Sequence, residues 1–321
     1  MRITIQLLPL FILALTLPLS LVYQLNFLEV LFISLSIMVL RTILVFHRLG
    51  DRGKDKRIIL ETMSVSHYNE KIRWCLDYLE IPYIEEEDAG ILGLFLLGRT
   101  VPLLKIPGRA ISIGNTPDIL RYFYGEYCCE KERADFLQPT REGLELEKKF
   151  DKLGHNYRAF AYFEIFNSSI VDSWEKEVWG LYQPGVPQWQ KAILKFVSPV
   201  FRKLVSTKLN ITSENAIKSL KEARKTIDEV DKLLSNGRKT IMGTPEPTYL
   251  DFHFSSMVAI MLRPPMYGGG VLTKQTWDPD QKGMPQRLQE EKEYLLQTTA
   301  GRLAMDMYSN YRHKKVFDSR R

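Results

Sequence analysis

The chain has 321 residues with 44 Lys and Arg against 38 Asp and Glu, a formal charge of +6 and a pI near 9.0. Its basic residues are interleaved with acids, as in Lys148 and Lys149 beside Glu145 and Glu147, so the excess does not indicate nucleic-acid binding. Three cysteines, Cys75 and the adjacent Cys128 and Cys129, form no C-x-x-C pair and no spacing with histidine that would hold zinc, which excludes a disulfide framework and suits a reducing compartment.

In chain order, residues 3–23 carry no charge, and residues 27–46 carry only Glu29 and Arg41 near their ends. Each run would span about 30 Å as a helix, the thickness of a bilayer's hydrocarbon core. Joined by the turn Gln24-Leu25-Asn26, they predict a transmembrane helical hairpin over residues 1–50. Arg48, Arg52, Lys54, Lys56 and Arg57 follow and Arg2 precedes, so both ends face the cytosol, with the globular part on that side. The juxtamembrane cluster could also meet acidic lipid headgroups. Two alternatives stay open. A signal peptide shares the basic start and apolar stretch, although no A-x-A-like cleavage site follows. Pro9 and Pro18 would kink a first span and leave a re-entrant or interfacial helix.

Ile58-Ile59-Leu60 reads as a strand leading into a hydroxyl-rich loop, Ser64-Val65-Ser66, and then a helix from Tyr68 to Glu80. Such a loop presents free backbone N–H groups and the positive end of a helix dipole, a place to stabilise an anion or a thiolate. Ile72, Cys75, Leu76 and Leu79 form an apolar stripe, so Cys75 is expected to be a small buried hydrophobe rather than a reactive thiol. Tyr83-Ile84, Leu103-Leu104 and Ile111–Ile113 read as further strands. Asn115-Thr116-Pro117-Asp118 reads as a helix start capped by the Thr116 side-chain oxygen, with a proline at the first helical position and an acid in the first turn. After a linker at Gln138-Pro139, helices are expected over 142–166, 189–209 and 213–234. Met266-Tyr267-Gly268-Gly269-Gly270 is expected to be a flexible break.

Three segments, ETMSVSHYNEKIRWCLDYLEIPY, GRTVPLLKI and ISIGNTPDILRYF, stand in the order and spacing of the glutathione-binding half of a glutathione transferase, which this part of the chain resembles. Gly243 to Asp251 resembles the family's glycine turn and Thr-x-x-Asp capping box. Thr298 to Arg302, followed by Met305, Tyr308 and Arg312, resembles the last helix of a bacterial-type subgroup. The resemblance covers roughly residues 57 to 315. It implies an α/β thioredoxin-like domain over 56–126 and an all-α C-terminal domain over 138–315, preceded here by the membrane anchor.

That family lowers the pKa of the glutathione thiol so that the thiolate attacks an electrophile. By the resemblance Ser66 stands where some family types carry cysteine, with Ser64 as a second candidate hydroxyl. Val101 and Pro102 form the cis-proline segment that pairs with the peptide, and Asn115 and Thr116 receive the γ-glutamyl carboxylate. His67, where proline is common, is either a surface residue or a positive charge near the sulfur. A serine cannot form a mixed disulfide, so conjugation or peroxide reduction is implied over thiol transfer. Residues 89–98 carry no charge where the family offers a base to the glycyl carboxylate, with Arg99 or Lys105 as the compensating candidates. That apolar segment rests either on the bilayer or under the C-terminal domain. Glutathione as co-substrate, an apolar second substrate and a lipid bilayer are the expected partners, homodimer formation stays open, and no cofactor or metal is implied. The competing function is a non-catalytic, membrane-tethered binding or scaffold module.

Overall fold

The computed structural model describes residues 57–90 apart from Ser64, residues 101–106, and residues 111–313 apart from six positions between 271 and 282, with scattered positions from 26 to 39. The spans expected at 3–23 and 27–46 lie outside the described residues except for those scattered positions. Among the described residues no helix is long and apolar enough to cross a membrane.

Strand β1 (Ile58–Met63), helix α1 (His67–Tyr78) and strand β2 (Tyr83–Asp88) make a parallel βαβ unit, with Ile58 beside Tyr83 and Met63 beside Asp88. Strand β3 (Leu103–Ile106) returns antiparallel to β1 with Leu60 opposite Leu104, and β4 (Ile111–Gly114) pairs antiparallel with β3. The sheet order is β2-β1-β3-β4. This mixed sheet, followed by helix α2 (Thr116–Tyr127), is a thioredoxin-like arrangement, the fold that the three segments implied. In this sheet Leu60, Tyr83, Leu103 and Leu104 are each fully buried, at 0% exposure.

The rest is helical: α3 (Lys131–Leu137), α4 (Arg141–Phe166), α5 (Val171–Val178), α6 (Gln188–Lys208), α7 (Ser213–Leu234), α8 (Tyr249–Leu262), α9 (Gln286–Gln297) and α10 (Thr299–Tyr311). Helix α8 is apolar nearly all round and buried nearly all round. Its start is closed by the capping box expected from the sequence: Asp251 accepts from the Thr248 backbone N–H at 2.8 Å while Thr248 Oγ1 caps the first turn. The other oxygen of Asp251 accepts from Ile241 N–H at 2.7 Å, tying the preceding turn to the helix.

One core joins both parts. Trp74 of α1 stacks on Phe252 of α8 at 4.4 Å between ring centroids, meets Tyr308 of α10 at 4.4 Å, and donates from Nε1 to the Tyr311 carbonyl at 3.2 Å. Cys75 is fully buried beside it, and burial pushes its thiol up to about 12, in keeping with an inert hydrophobe. Helix α1 is thereby clamped between the sheet and the helical part, which fixes where its N-terminus points.

The segment expected to be a flexible break is instead part of this clamp. Tyr267–Gly270 forms a buried 3-10 turn in which Gly268 and Gly269 take φ of 73° and 67°. A left-handed backbone there lets the Gly268 N–H donate to Glu70 at 3.0 Å, and Tyr267 donates its hydroxyl to the Val65 carbonyl at 3.0 Å. The glycines do not loosen the chain here; they allow it to close on a buried carboxylate.

Candidate functional site

A cavity of about 930 Å³ opens between the thioredoxin-like part and the helical part. The sheet side of it is formed by Met63, Val65, Ser66, His67 and Tyr68 at the start of α1, by Val101 and Pro102, and by Asn115 and Thr116 at the start of α2. Six residues singled out from the sequence thus share one wall, although they come from three separate segments. Ser64 lies outside the described residues. The Val101–Pro102 peptide bond is cis.

Ser66 is the N-cap residue of α1 and is 8% exposed; its carbonyl accepts from Glu70 N–H at 2.9 Å, and its side chain makes no capping bond. The first N–H groups of a 12-residue helix therefore face the cavity wall without a side-chain cap, a built-in attraction for negative charge. Tyr68 does not compete for a bound sulfur, because its hydroxyl donates to the Asp151 carbonyl at 2.9 Å. Burial pushes that phenol up to about 12, against the pull of Arg158.

His67 fits neither reading made from the sequence. It is only 4% exposed, so it is not a surface residue. Burial first, and then the nearby Arg158, His155 and His253, hold its pKa well below the usual histidine range, so it does not add positive charge. Its Nε2 has no hydrogen-bond partner among the described residues. Its ring lies against Gly154 of α4, where a Cβ would come within 2.9 Å of that same nitrogen.

Helix α2 also begins differently from the expectation. Thr116 is its first residue and Asn115 is the N-cap, at φ 76° and with no side-chain capping bond. Thr116, 4% exposed, is therefore not serving as a cap. Of the two compensating cations, Lys105 does not line the cavity. Lys105 is bound on the sheet by Glu61 and by Glu86, the latter at 3.3 Å, and Arg99 lies outside the described residues. Of the segment 89–98, Ala89 and Gly90 are described. Ala89 N–H donates to Gln190 Oε1 at 2.7 Å, and Gly90 abuts Trp179, so this end sits under the helical part.

The opposite wall comes from helices that the sequence did not mark as functional. Helix α4 contributes Asp151, His155, Arg158, Tyr162 and Ile165, a stripe whose spacing of three and four residues is visible in hindsight. Arg158 Nη2 donates to the His155 ring at 3.0 Å, and its guanidinium lies 5.9 Å from the Tyr68 ring centroid. Helix α5 and its end supply Trp174 and Trp179, and Leu288 begins the apolar floor. Behind Asp151 lies a buried polar cluster. His253 Nε2 is 3.1 Å from Asp151, and Lys71 Nζ is 3.6 Å from Asp151 and 3.9 Å from Glu147. Burial alone would raise Asp151, but the bond from His253 and the Lys71 ammonium bring it down to about 2. A wall with an uncapped helix end, cations within reach and an apolar far side can hold a polar, anionic molecule beside an apolar one.

No family model and no curated protein matches this chain. Among solved structures, a glutathione S-transferase of Ceriporiopsis subvermispora in complex with glutathione is similar at 14% identity and a TM-score of 0.49, covering 79% of this chain and 97% of that one. A glutathione transferase of Phanerochaete chrysosporium is similar at 15% identity and a TM-score of 0.45, over the same shares.

Proposed function

We propose that this chain binds glutathione in the cavity, conjugates it to apolar electrophiles or reduces lipid peroxides with it, and is tethered to a membrane through residues 1–50 with its globular part facing the cytosol. The observation that carries this reading is the convergence of Ser66, Val101, Pro102, Asn115 and Thr116 on one wall, opposite the apolar side chains of Trp174, Trp179 and Ile165. In this reading the thiol of glutathione lies at the start of α1. There the helix N–H groups and the Ser66 hydroxyl stabilise the thiolate after its proton leaves to solvent. The thiolate then forms a carbon–sulfur bond as the electrophile's leaving group departs. With a peroxide it attacks one oxygen, the O–O bond breaks and the alkoxide leaves as an alcohol on taking a proton from solvent; the thiol of a second glutathione then displaces water from the sulfenic acid so formed, giving the disulfide.

The tether is supported by the described positions between 28 and 39, which are helical. Leu28, Phe32 and Leu35 there are 72%, 71% and 55% exposed, an apolar surface that water does not favour. Asn26 and Glu29 exchange backbone-to-side-chain bonds at 2.8 and 3.0 Å, a helix start at the turn between the two apolar runs.

The test is the ultraviolet absorbance of bound thiolate against pH, for the full chain in detergent and for Ser66→Ala. The variant is expected to raise the pH at which thiolate appears and to slow conjugation about tenfold to a hundredfold, the value of one hydrogen bond to a charge. Glutathione that binds without forming thiolate at neutral pH overturns the catalytic part and leaves a tethered binding module. Failure of wild type to bind glutathione at all overturns the whole reading.

A further inference from the structure

Helix α6 departs from the interleaved charge of the rest of the chain. Its sequence QWQKAILKFVSPVFRKLVSTK holds Lys191, Lys195, Arg202, Lys203 and Lys208 and no acid, whereas α7 mixes both signs along its length. At 3.6 residues per turn Gln190, Leu194 and Val205 share one side, and all three are buried. That side is held down. Gln190 donates to Asp88 Oδ1 at 2.7 Å, and Arg202 donates to Asp172 at 2.7 Å and to Glu175 at 2.8 Å. The two acids that reach α6 from α5 are thereby compensated.

The other side carries Trp189, Ile193 and Lys203, flanked by Lys195. Trp189 and Ile193 are 44% and 40% exposed, and the two lysines are exposed with no side-chain partner among the described residues. The other tryptophans, Trp74, Trp174, Trp179 and Trp277, are all buried, so Trp189 is the exception. An indole favours the boundary between water and acyl chains, and lysine stems can lie along lipid while their ammonium groups stay among headgroups. Apolar residues and lysines on one acid-free side are the pattern of a helix lying in the surface of an anionic bilayer. Ile193 offers a nucleic acid nothing, and a second copy packed through the same helix would set lysine against lysine. The far end of α6 lines the cavity through Val205 and Lys208, so docking would also set the cavity's rim at the lipid surface.

We propose that α6 docks on an anionic membrane surface, with Trp189 and Ile193 among the upper acyl chains and Lys195 and Lys203 among the headgroups. This goes beyond the reading above and stands whether or not residues 1–50 enter the bilayer. The test uses the full chain reconstituted into vesicles of phosphatidylcholine alone or mixed with phosphatidylserine, with the phosphatidylcholine brominated in its acyl chains to quench tryptophan from within the lipid. Residues 1–50 contain no tryptophan, so they add nothing to the signal. Subtracting the emission of Trp189→Phe isolates Trp189. That emission is expected to be quenched by the brominated chains, and shielded from aqueous acrylamide, when phosphatidylserine is present. Lys195→Gln with Lys203→Gln should shift the ratio of quenched to unquenched Trp189 about tenfold toward unquenched.

Equal quenching of wild type in the two kinds of vesicle overturns the proposal, because the lysines then have no part in it, and that comparison needs no variant to fold. Trp189 that acrylamide reaches equally in both also overturns it. Shielding from acrylamide without quenching by the brominated chains overturns it as well, since protein and not lipid would then cover this face. Extraction of the chain from the vesicles by alkaline carbonate removes the tether, a separate reading. Quenching that depends on phosphatidylserine at neutral pH supports docking of α6 in either case.

Discussion

Helix α1 is polar along most of its length, but its two parts are in opposite electrostatic condition. From Glu70 to Asp77 each charged side chain is bonded, with Glu70, Lys71 and Arg73 buried and Asp77 partly so. Glu70 accepts from Arg312 at 2.8 Å, from Arg73 at 3.1 Å and from Gly268 N–H at 3.0 Å. Arg73 also donates to Glu85 at 2.6 Å, and Asp77 accepts from Arg312 at 2.9 Å and from Tyr83 at 3.1 Å. Burial would raise Glu70, but Arg312 and Arg73 hold it below the usual carboxylate range. At Ser66 and His67 the reverse holds: the Ser66 side chain caps nothing, and His67 Nε2 lacks a partner among the described residues. Buried polar groups are normally satisfied, so the two exceptions in the first turn, His67 Nε2 at the cavity wall and Asn69 Oδ1 behind it in sequence, set that turn apart from the bonded part beyond it, which holds the fold.

The largest effect expected from this division is on stability. Arg312→Met removes the cation shared by Glu70 and Asp77 and leaves a buried and a partly buried carboxylate undercompensated, which should cost about 3–5 kcal/mol in urea unfolding. A loss below about 1 kcal/mol would show that Arg73 and Gly268 alone satisfy Glu70, and the contrast between the two parts of α1 would lose its structural half.

That saturated half shows where sequence reasoning reached and where it stopped. Local signals were legible: Ser213–Leu234 is helical over the expected range, the Thr248–Asp251 capping box is formed, and the Cys75 stripe is buried. These depend on neighbours three or four residues away. Arg312 bonding to Glu70 spans 242 positions, and the Gly268 contact to the same carboxylate spans 198, so no periodicity could announce them. The candidate site divides in the same way. Its sheet wall was legible from three short motifs. Arg158 was not, because its position depends on how α4 packs against α8 and α8 against α1.

A smaller effect is expected from Thr116→Ala, and it sharpens the ligand half. The sequence suggested that this hydroxyl caps α2, so that its loss would destabilise the helix. With Asn115 at the cap position and no side-chain capping bond, unfolding should move by less than about 1 kcal/mol. Glutathione affinity should fall about tenfold, one charge-assisted hydrogen bond, when measured by calorimetry. A large loss of stability with unchanged affinity would return Thr116 to a purely structural role.

The smallest effect concerns His67 and has a definite sign. A buried neutral imidazole with a depressed pKa binds its proton less readily in the folded chain than in the unfolded chain, where the value is about 6.5. Its contribution is fully present above that unfolded value and is lost as pH falls, since the unfolded state then binds more protons. Between about pH 6.5 and 5.5 one such histidine should cost about 1 kcal/mol of stability. His253, also buried and lowered, should add a loss of the same sign. Asp151 acts in a separate window, because a carboxyl brought down to about 2 gives up its stabilisation only below about pH 4. His67→Gln should therefore flatten the stability profile of the full chain between pH 7 and 5 by about the share of one histidine, while the part due to His253 persists. An unaltered slope in that variant would mean that His67 is wetted and titrates freely, and the N-terminal edge of α1 would then no longer differ in kind from an ordinary solvated helix start.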